Sequence, residues 1–144
     1  MIYTPITKKA MILAYDAHHG QTDPSGVPYI FHPLHLAEQM KDEITTAAAL
    51  LHDVVEDTSM TLNDLRNEGI PENVLHVVDL LTHKENVPYL DYVFALKNNP
   101  SAKAVKLADL THNCNVTRLN EVLPEDMKYL ARYRAAFEIL QSDE

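Results

Sequence analysis

The sequence predicts an all-α protein, and three observations carry that prediction. Apolar residues recur at the three- and four-residue spacing of helix faces, whereas the alternation of apolar and polar residues that marks strands is nearly absent. Glycine is scarce, at three residues in 144. Helix-starting signals, such as Thr4 before Pro5, recur between the apolar stretches. We therefore expect about eight helices in one domain over residues 1–144, a length that suits a single core.

Four stretches make up the first part of the chain. A helix over about 4–18 is followed by the segment 19–31, which holds two of the three glycines and two prolines. This segment predicts a long loop, and long loops in compact domains are usually functional or disordered. Proline favours the start of a second helix over about 33–41. The third helix, over about 44–57, is the most apolar, and we expect the others to surround it.

The second part of the chain is also divided by capping and proline signals. Thr61 with Asp64 resembles a capping box, which predicts a short helix ending near Gly69. Proline disfavours helix in the residue before it, so the sequence Asn99-Pro100 predicts a break. Further helices are expected from residue 71 onward, over 88–98, over 101–113 and over about 125–141.

Composition and charge exclude several classes of function. The formal charge of −9 disfavours nonspecific binding to nucleic acid, which requires a basic face. A phosphate-bearing ligand would need a local positive centre, and a divalent metal would supply one. The single cysteine, Cys114, excludes an internal disulfide, and no apolar run approaches the ~20 residues of a membrane helix. With no signal-peptide pattern at the N-terminus, we expect a cytoplasmic protein without a membrane partner. The oligomeric state stays open.

The stretch LLHDVVEDT, residues 50–58, places a histidine and several acids on the apolar third helix. On a regular helix, His52 would lie under Glu56, and Asp53 under Asp57. Carboxylates packed this closely repel one another and lose solvation, and a bound metal removes both costs. A solvated acidic helix end explains an isolated HDxxED about equally well, so the rest of the chain decides between the two.

Two other stretches have the same character. In KLADLTHN, Asp109 lies on an otherwise apolar helix, with Asn113 four residues further on. In YIFHPL, His32 stands at a helix start. Together with the third helix they supply two imidazoles and two carboxylates, a set that suits Mn, Fe, Co or Zn and leaves coordination positions for water and substrate. The candidate ligands are His32, His52, Asp53 and Asp109.

Four segments of the chain carry a resemblance to a known family: AHHGQ (17–21), SGVPYIFHP (25–33), LLHDVVEDT (50–58) and VKLADLTHN (105–113). In this order they resemble the HD-domain phosphohydrolases. The resemblance is closest to the hydrolase domain of the RelA/SpoT-type alarmone enzymes and their small single-domain relatives. It spans roughly residues 10–118 and implies an all-α HD-domain helical bundle. It also implies removal of the 3′-pyrophosphate from guanosine tetra- or pentaphosphate.

The resemblance assigns roles to individual residues. It implies that the four candidate ligands hold Mn²⁺ and that Glu56 and Asp57 act on the attacking water. Asn113 matches a position near the nucleotide, where it would hold a sugar or phosphate oxygen. For Tyr29, packing on a base or ribose and ordinary core packing are both open.

The chain departs from the family pattern in the loop 19–31. Where the family usually carries two basic residues, this chain has Asp23 and Pro24, and Leu110 replaces a usual arginine. Either the substrate differs, which favours a phosphatase for another nucleotide or small phosphate ester, or other cations compensate. A non-catalytic metal- or nucleotide-sensing module is a third hypothesis, but it would not need a pair of acids that act on water. The candidate compensating cations are Lys8, Lys9, Lys106 and Arg118.

Three further expectations concern side chains close to these motifs. His112 lies about 100° around the helix from Asn113 and is not expected to share its role. Tyr89 and Tyr92, three residues apart, are expected in the core. Lys106 is expected on a solvated face unless it is one of the compensating cations.

Overall fold

The computed structural model describes residues 1–142, and its regular elements are helices. The β-pairing found within that range is an isolated bridge between Thr22 and Pro28. The all-α prediction is thereby confirmed, while positions 143–144 of the expected 1–144 domain lie outside the described residues. The α-helices are α1 Pro5–Ala17, α2 Phe31–Glu38, α3 Glu43–Leu51, α4 Val54–Asp57, α5 Leu62–Asn67, α6 Glu72–Leu81, α7 Tyr89–Leu96, α8 Pro100–Asn113 and α9 Pro124–Gln141.

Local capping explains why several helices begin where they do. The Thr4 hydroxyl accepts from the Thr7 amide at 3.1 Å, while the Thr4 amide donates to the Thr7 hydroxyl at 2.8 Å. Thr61 and Asp64 form the capping box that the sequence predicts at the start of α5. These contacts satisfy amides that have no partner within a helix.

Helix α3 forms the centre of the fold. Its residues 45–51 are all buried, and it packs against α1, α2, α6 and α8. A helix surrounded in this way is largely apolar on every side, which agrees with the run of apolar residues over 47–51. Within residues 1–142, no helix has both the length and the apolarity to cross a bilayer.

The prediction of one continuous helix over 44–57 is wrong in one respect. The segment is interrupted between α3 and α4 at His52 and Asp53, and Asp53 has φ −107° and ψ 0°, away from regular helix values. Adjacent residues of a regular helix do not face each other. Here the irregular backbone allows His52 Nε2 to lie 3.0 Å from Asp53 Oδ2. The break therefore turns two neighbouring side chains towards one point.

Candidate metal centre and active site

Three buried side chains converge where α2, α3 and α8 meet. His32 lies in the first turn of α2, His52 directly follows α3, and Asp109 lies on α8. His32 Nε2 is 2.9 Å from Asp109 Oδ1, and His52 Nε2 is 3.6 Å from the same oxygen. Their potential ligand atoms lie within 4.8 Å of one another, close enough for a single ion to contact all three.

The surroundings of His52 fit a metal ligand. Its Nδ1 is 2.6 Å from the carbonyl oxygen of Ala49, and because a carbonyl only accepts, Nδ1 carries the proton. Nε2 is therefore the ring nitrogen that is left to face the site. This nitrogen is buried and has no hydrogen-bond partner among residues 1–142, although it lies beside the carboxylate of Asp53. A cation between the nitrogen and the carboxylate would satisfy both groups.

The charges around the three side chains favour a cation. Burial alone would raise the pKa of Asp109, but Lys106 and the two histidines hold it well below its usual range. Burial would lower the pKa of His52, but Asp53 and Asp109 outweigh burial and raise it well above the ordinary value. The carboxylates thus attract positive charge to His52 Nε2, and a divalent ion meets that demand.

Lys106 is part of this centre, so the expectation that it lies on a solvated face is wrong. Its side chain is 11% exposed, and Nζ donates to Asp109 Oδ2 at 2.9 Å. Nζ also lies 5.5 Å and 5.4 Å from the ring centroids of Tyr89 and Tyr92. Nothing in the local sequence indicated this burial, because lysine three residues before aspartate is also common on solvated faces.

A second acidic group lies beside the first. The carboxylates of Asp53, Glu56 and Asp57 have oxygens within 4.8 Å of one another, and Glu56 and Asp57 are exposed. Burial, followed by the charges of Asp53 and Glu56, raises the pKa of Asp57 to about 6. One Glu56 oxygen accepts from the amide of His83 at 2.7 Å, which fixes the orientation of that side chain.

Tyr29 and Asn113 both contact carboxylates of the centre. The Tyr29 hydroxyl donates to Asp53 Oδ2, and burial raises the pKa of Tyr29. Asn113 Nδ2 donates to Asp109 Oδ1 at 3.1 Å, and its Oδ1 accepts from Arg118 Nη1 at 3.3 Å. In the described structure, both side chains orient the acids on which the centre depends.

Two adjoining cavities open beside the centre. One, of about 310 Å³, contains the acids, and the other, of about 370 Å³, extends towards α9; they share Tyr29, Asn113 and Tyr133. The larger cavity also has Asp23, Arg118 and Tyr129 in its wall. The smaller cavity is lined by Tyr29, His52, Asp53, Glu56, Asp57, Leu81, His83, Tyr89, Tyr92, Lys106, Asp109, Asn113, Arg132 and Tyr133.

Sequence reasoning missed several side chains at this site. Arg132 of α9 lines the smaller cavity, and its guanidinium carbon lies 3.9 Å from the ring centroid of Tyr89. His112, for which we expected only that it would not share the role of Asn113, has Nδ1 2.7 Å from His32 Nδ1. Tyr92 is buried as predicted, yet it also borders the cavity. Nothing in the sequence could show how α8 and α9 pack against the centre.

Comparison with known proteins shows the family to which the chain belongs. A family model described as "HD domain" matches residues 10–112. The bifunctional (p)ppGpp synthase/hydrolase SpoT of Escherichia coli K12 is 34% identical over 140 residues, covering 87% of this chain and 20% of SpoT. A probable GTP pyrophosphokinase of Mycobacterium leprae is 34% identical over 148 residues, covering 94% of this chain and 18% of that protein. The chain thus spans about a fifth of the length of these relatives.

A solved structure supports the fold as well. It is described as a metazoan ortholog of SpoT that hydrolyzes ppGpp, and it matches 99% of this chain and 89% of its own, with a TM-score of 0.77 and 23% identity. Fold and site together define a helical protein with a buried group of two histidines and an aspartate that could hold a metal ion. The chain belongs to the HD-domain family, and it is similar in sequence to SpoT-type proteins.

Proposed function

We propose that the chain is a metal-dependent pyrophosphohydrolase that converts guanosine 3′,5′-bis(diphosphate) and water into GDP and pyrophosphate. The observation that carries this proposal is the buried His52 Nε2, which faces two carboxylates without a hydrogen-bond partner in the described chain. The sequence similarity to SpoT supports the choice of substrate. We further propose that residues 1–144 act as one hydrolase domain in the cytoplasm.

The proposed ligands are the four residues expected from the sequence. His52, His32 and Asp109 present atoms to a common point, and Asp53 Oδ2 lies beside His52 Nε2. Imidazole and carboxylate suit Mn²⁺, which is our choice of ion, although they also suit Fe, Co and Zn. A divalent cation held there supplies Lewis acidity, which makes water more acidic and offsets charge on phosphoryl oxygens.

Glu56 and Asp57 are the residues that we assign to the water. Both are exposed at the edge of the cavity, next to Asp53. A carboxylate in hydrogen-bond reach of the nucleophile orients it and accepts its proton. The amide of His83 holds one Glu56 oxygen, so the other stays available for the water.

Cationic side chains from outside the loop 19–31 support a polyphosphate substrate, although the loop itself carries Asp23 and Pro24 where the family usually has basic residues. Asp23 Oδ1 accepts from the amides of Ser25 at 2.8 Å and Val27 at 3.0 Å, which shapes the loop. Its Oδ2 lies 3.9 Å from Arg118, so its charge faces a cation. Lys106 and Arg132 line the smaller cavity, whereas Lys8 and Lys9 line neither cavity.

The assigned substrate contacts follow from this arrangement. We propose that Lys106 and Arg132 meet the phosphates, Asn113 holds a sugar or phosphate oxygen, and Tyr29 packs on the base or ribose. These side chains line the two adjoining cavities, which extend from the acids to residues of α9.

Asp23 also supports a second candidate, a phosphatase for another nucleotide or small phosphate ester. Purified protein saturated with Mn²⁺ should be incubated with guanosine tetraphosphate and with a panel of nucleotides, and phosphate and pyrophosphate should be measured separately. Pyrophosphate and GDP from guanosine tetraphosphate are expected. Turnover of another nucleotide with guanosine tetraphosphate untouched would contradict the alarmone assignment.

The third hypothesis, a module without turnover, is tested by Glu56→Gln. We expect the substitution to lower turnover by at least about 100-fold, in line with the loss of a general base, while Mn²⁺ affinity stays close to wild type. Glu68→Gln, at an exposed position on the end of α5, is the matched control and should leave both quantities unchanged. Equal turnover of wild type and Glu56→Gln would remove Glu56 from the mechanism.

A further inference from the structure

His32 and His112 form a direct hydrogen bond between two imidazole rings. Their Nδ1 atoms are 2.7 Å apart, their ring planes differ by 7°, and their centroids are 5.0 Å apart. The separation of the two ring centroids equals the Nδ1–Nδ1 distance plus the distance from each centroid to its own Nδ1 atom. The rings therefore lie side by side in one plane, with the bond along the in-plane lone-pair direction.

A hydrogen bond between two such nitrogens requires one donor and one acceptor. In a neutral imidazole one nitrogen carries hydrogen and the other carries a lone pair. If His32 binds a cation through Nε2, which faces Asp109, its Nδ1 must carry the hydrogen. His112 Nδ1 must then accept it. Metal-bound histidines usually donate this hydrogen to a carboxylate, a carbonyl or water, so a histidine in this place is unusual.

We propose that His112 is a positioning residue whose Nδ1 accepts from His32 Nδ1 and thereby holds the Nε2 lone pair of His32 towards the metal. This inference rests on the metal centre of the proposed function, and it assigns to His112 a role that its place on α8 did not suggest. His112 does not contact the metal position itself.

Neighbouring groups fix the ring of His112. The His35 ring lies against it, with centroids 4.1 Å apart and planes 28° apart. Arg118 Nη1 donates to the His112 carbonyl oxygen at 3.0 Å, which anchors the end of α8. Asp109, on the same helix and one turn earlier, is the nearest acid to the His32–His112 pair. Because the His112 ring packs against His35 and its backbone is anchored by Arg118, its Nδ1 lone pair stays directed at His32 Nδ1.

The bond also allows a change of tautomer without a change of charge. Without a cation, His32 Nε2–H donates to Asp109 Oδ1 at 2.9 Å, and His32 Nδ1 accepts from His112 Nδ1–H. If His32 held a cation at Nε2, the hydrogen on that nitrogen would go to solvent and the shared hydrogen would lie on His32 Nδ1. His112 would then take a hydrogen from solvent at its own Nε2. The two rings carry two hydrogens before and after.

Substitutions at position 112 test whether His112 acts as a hydrogen-bond acceptor for His32 or only packs against His35. The Oδ1 atom of aspartate or asparagine stands as many bonds from Cα as the histidine Nδ1 does, so His112→Asp and His112→Asn preserve an acceptor. His112→Phe preserves a ring against His35 and removes the acceptor. We expect Mn²⁺ affinity, measured by titration calorimetry, to fall about 10- to 100-fold in His112→Phe. It should stay within about threefold of wild type in the other two variants.

Two comparisons distinguish failure of this inference from failure of the proposed metal centre. His32→Ala should weaken Mn²⁺ binding at least as much as His112→Phe, and His76→Asn, which changes an exposed histidine on α6, should leave it unchanged. An unaffected His32→Ala would overturn the centre and the inference with it. A weakened His32→Ala with wild-type affinity in His112→Phe would overturn the inference alone.

A spectroscopic measurement tests the tautomers directly, whatever the folding yield of the variants. Long-range ¹H–¹⁵N spectra of histidine-labelled wild-type protein should be recorded without metal and with Zn²⁺, which is diamagnetic. We expect His32 to be protonated at Nδ1 and His112 at Nε2 in the Zn²⁺-loaded protein. Loaded protein with His112 still protonated at Nδ1 would overturn the inference.

Discussion

At the residue scale, the site depends on the carboxylate of Asp109, which four side chains surround. His32, Lys106 and Asn113 lie within 3.1 Å of its oxygens, and His52 is 3.6 Å away. Each of these contacts supplies positive charge or a donor. Because the carboxylate is buried, it depends on them fully, and removal of one partner leaves charge that the interior does not solvate.

The first prediction follows from the Lys106–Asp109 pair. Lys106→Met should lower the free energy of unfolding of metal-free protein by about 3 kcal/mol, because Asp109 keeps its burial and loses its nearest full charge. Saturating Mn²⁺ should recover part of the loss, since the cation replaces the missing charge. Urea denaturation with and without Mn²⁺ measures both values.

Lys103→Met provides the control for this experiment. Lys103 lies on the same helix, three residues earlier, and is only partly buried. Its substitution should change the free energy of unfolding by less than about 0.5 kcal/mol. A loss in Lys106→Met that is the same with and without Mn²⁺ would show that the lysine contributes packing alone.

At the scale of single elements, the limits of sequence reasoning are physical. Capping residues act on the nearest amides, so Thr4 and Asp64 could be recognised from their neighbours. The break at His52 and Asp53 could not, because the surrounding apolar spacing fits a continuous helix. The contact between His112 and His32 depends on how α2 and α8 pack, which local sequence does not encode.

The second prediction concerns the start of α3, the helix that carries His52. Asp42 Oδ1 accepts from the Thr45 amide at 2.7 Å and from the Thr45 hydroxyl at 2.8 Å. Asp42→Ala should lower the free energy of unfolding by about 1 kcal/mol, as loss of an N-cap does. Metal affinity should not change, because the cap lies at the opposite end of α3 from His52.

Asp42→Asn is the matched variant, since asparagine also caps helices. It should retain most of the stability that Asp42→Ala loses, in thermal or chemical unfolding. If the two substitutions destabilise equally, the negative charge near the helix N-terminus contributes more than the hydrogen bond.

At the scale of the whole molecule, the distribution of charge matters more for binding an anionic substrate than the net charge does. The chain carries a formal charge of −9, yet Lys106 and Arg132 line the smaller cavity and Arg118 lines the larger one. An anionic substrate would therefore meet local positive charge in these cavities, although the protein as a whole is acidic. Acids outside the cavities disfavour binding of nucleic acid, which requires a broad basic face.

The third prediction concerns Arg132, the cation that α9 contributes. Arg132→Gln should raise KM for guanosine tetraphosphate about 10-fold or more, because it removes a charge-assisted contact to phosphate. Arg134→Gln, two residues further along α9 and outside both site cavities, should leave KM unchanged. Equal KM values for the two variants, measured with Mn²⁺ saturating, would exclude a contact between Arg132 and the substrate.

The last prediction concerns the effect of metal binding on the thermal stability of the whole fold. Its proposed ligands come from α2, from the α3–α4 junction and from α8, segments far apart along the chain, so an unfolded chain does not present them together. A ligand that binds only folded protein stabilises it by about 2.7 kcal/mol at roughly 100 times its Kd. For a domain of this size that corresponds to a rise in Tm of roughly 10 °C.

Calorimetric scans of wild type should show Tm rising with Mn²⁺ concentration, and His52→Ala should lose the dependence while keeping a cooperative transition. A Tm that rises equally in both proteins would place the stabilising ion somewhere other than between these helices.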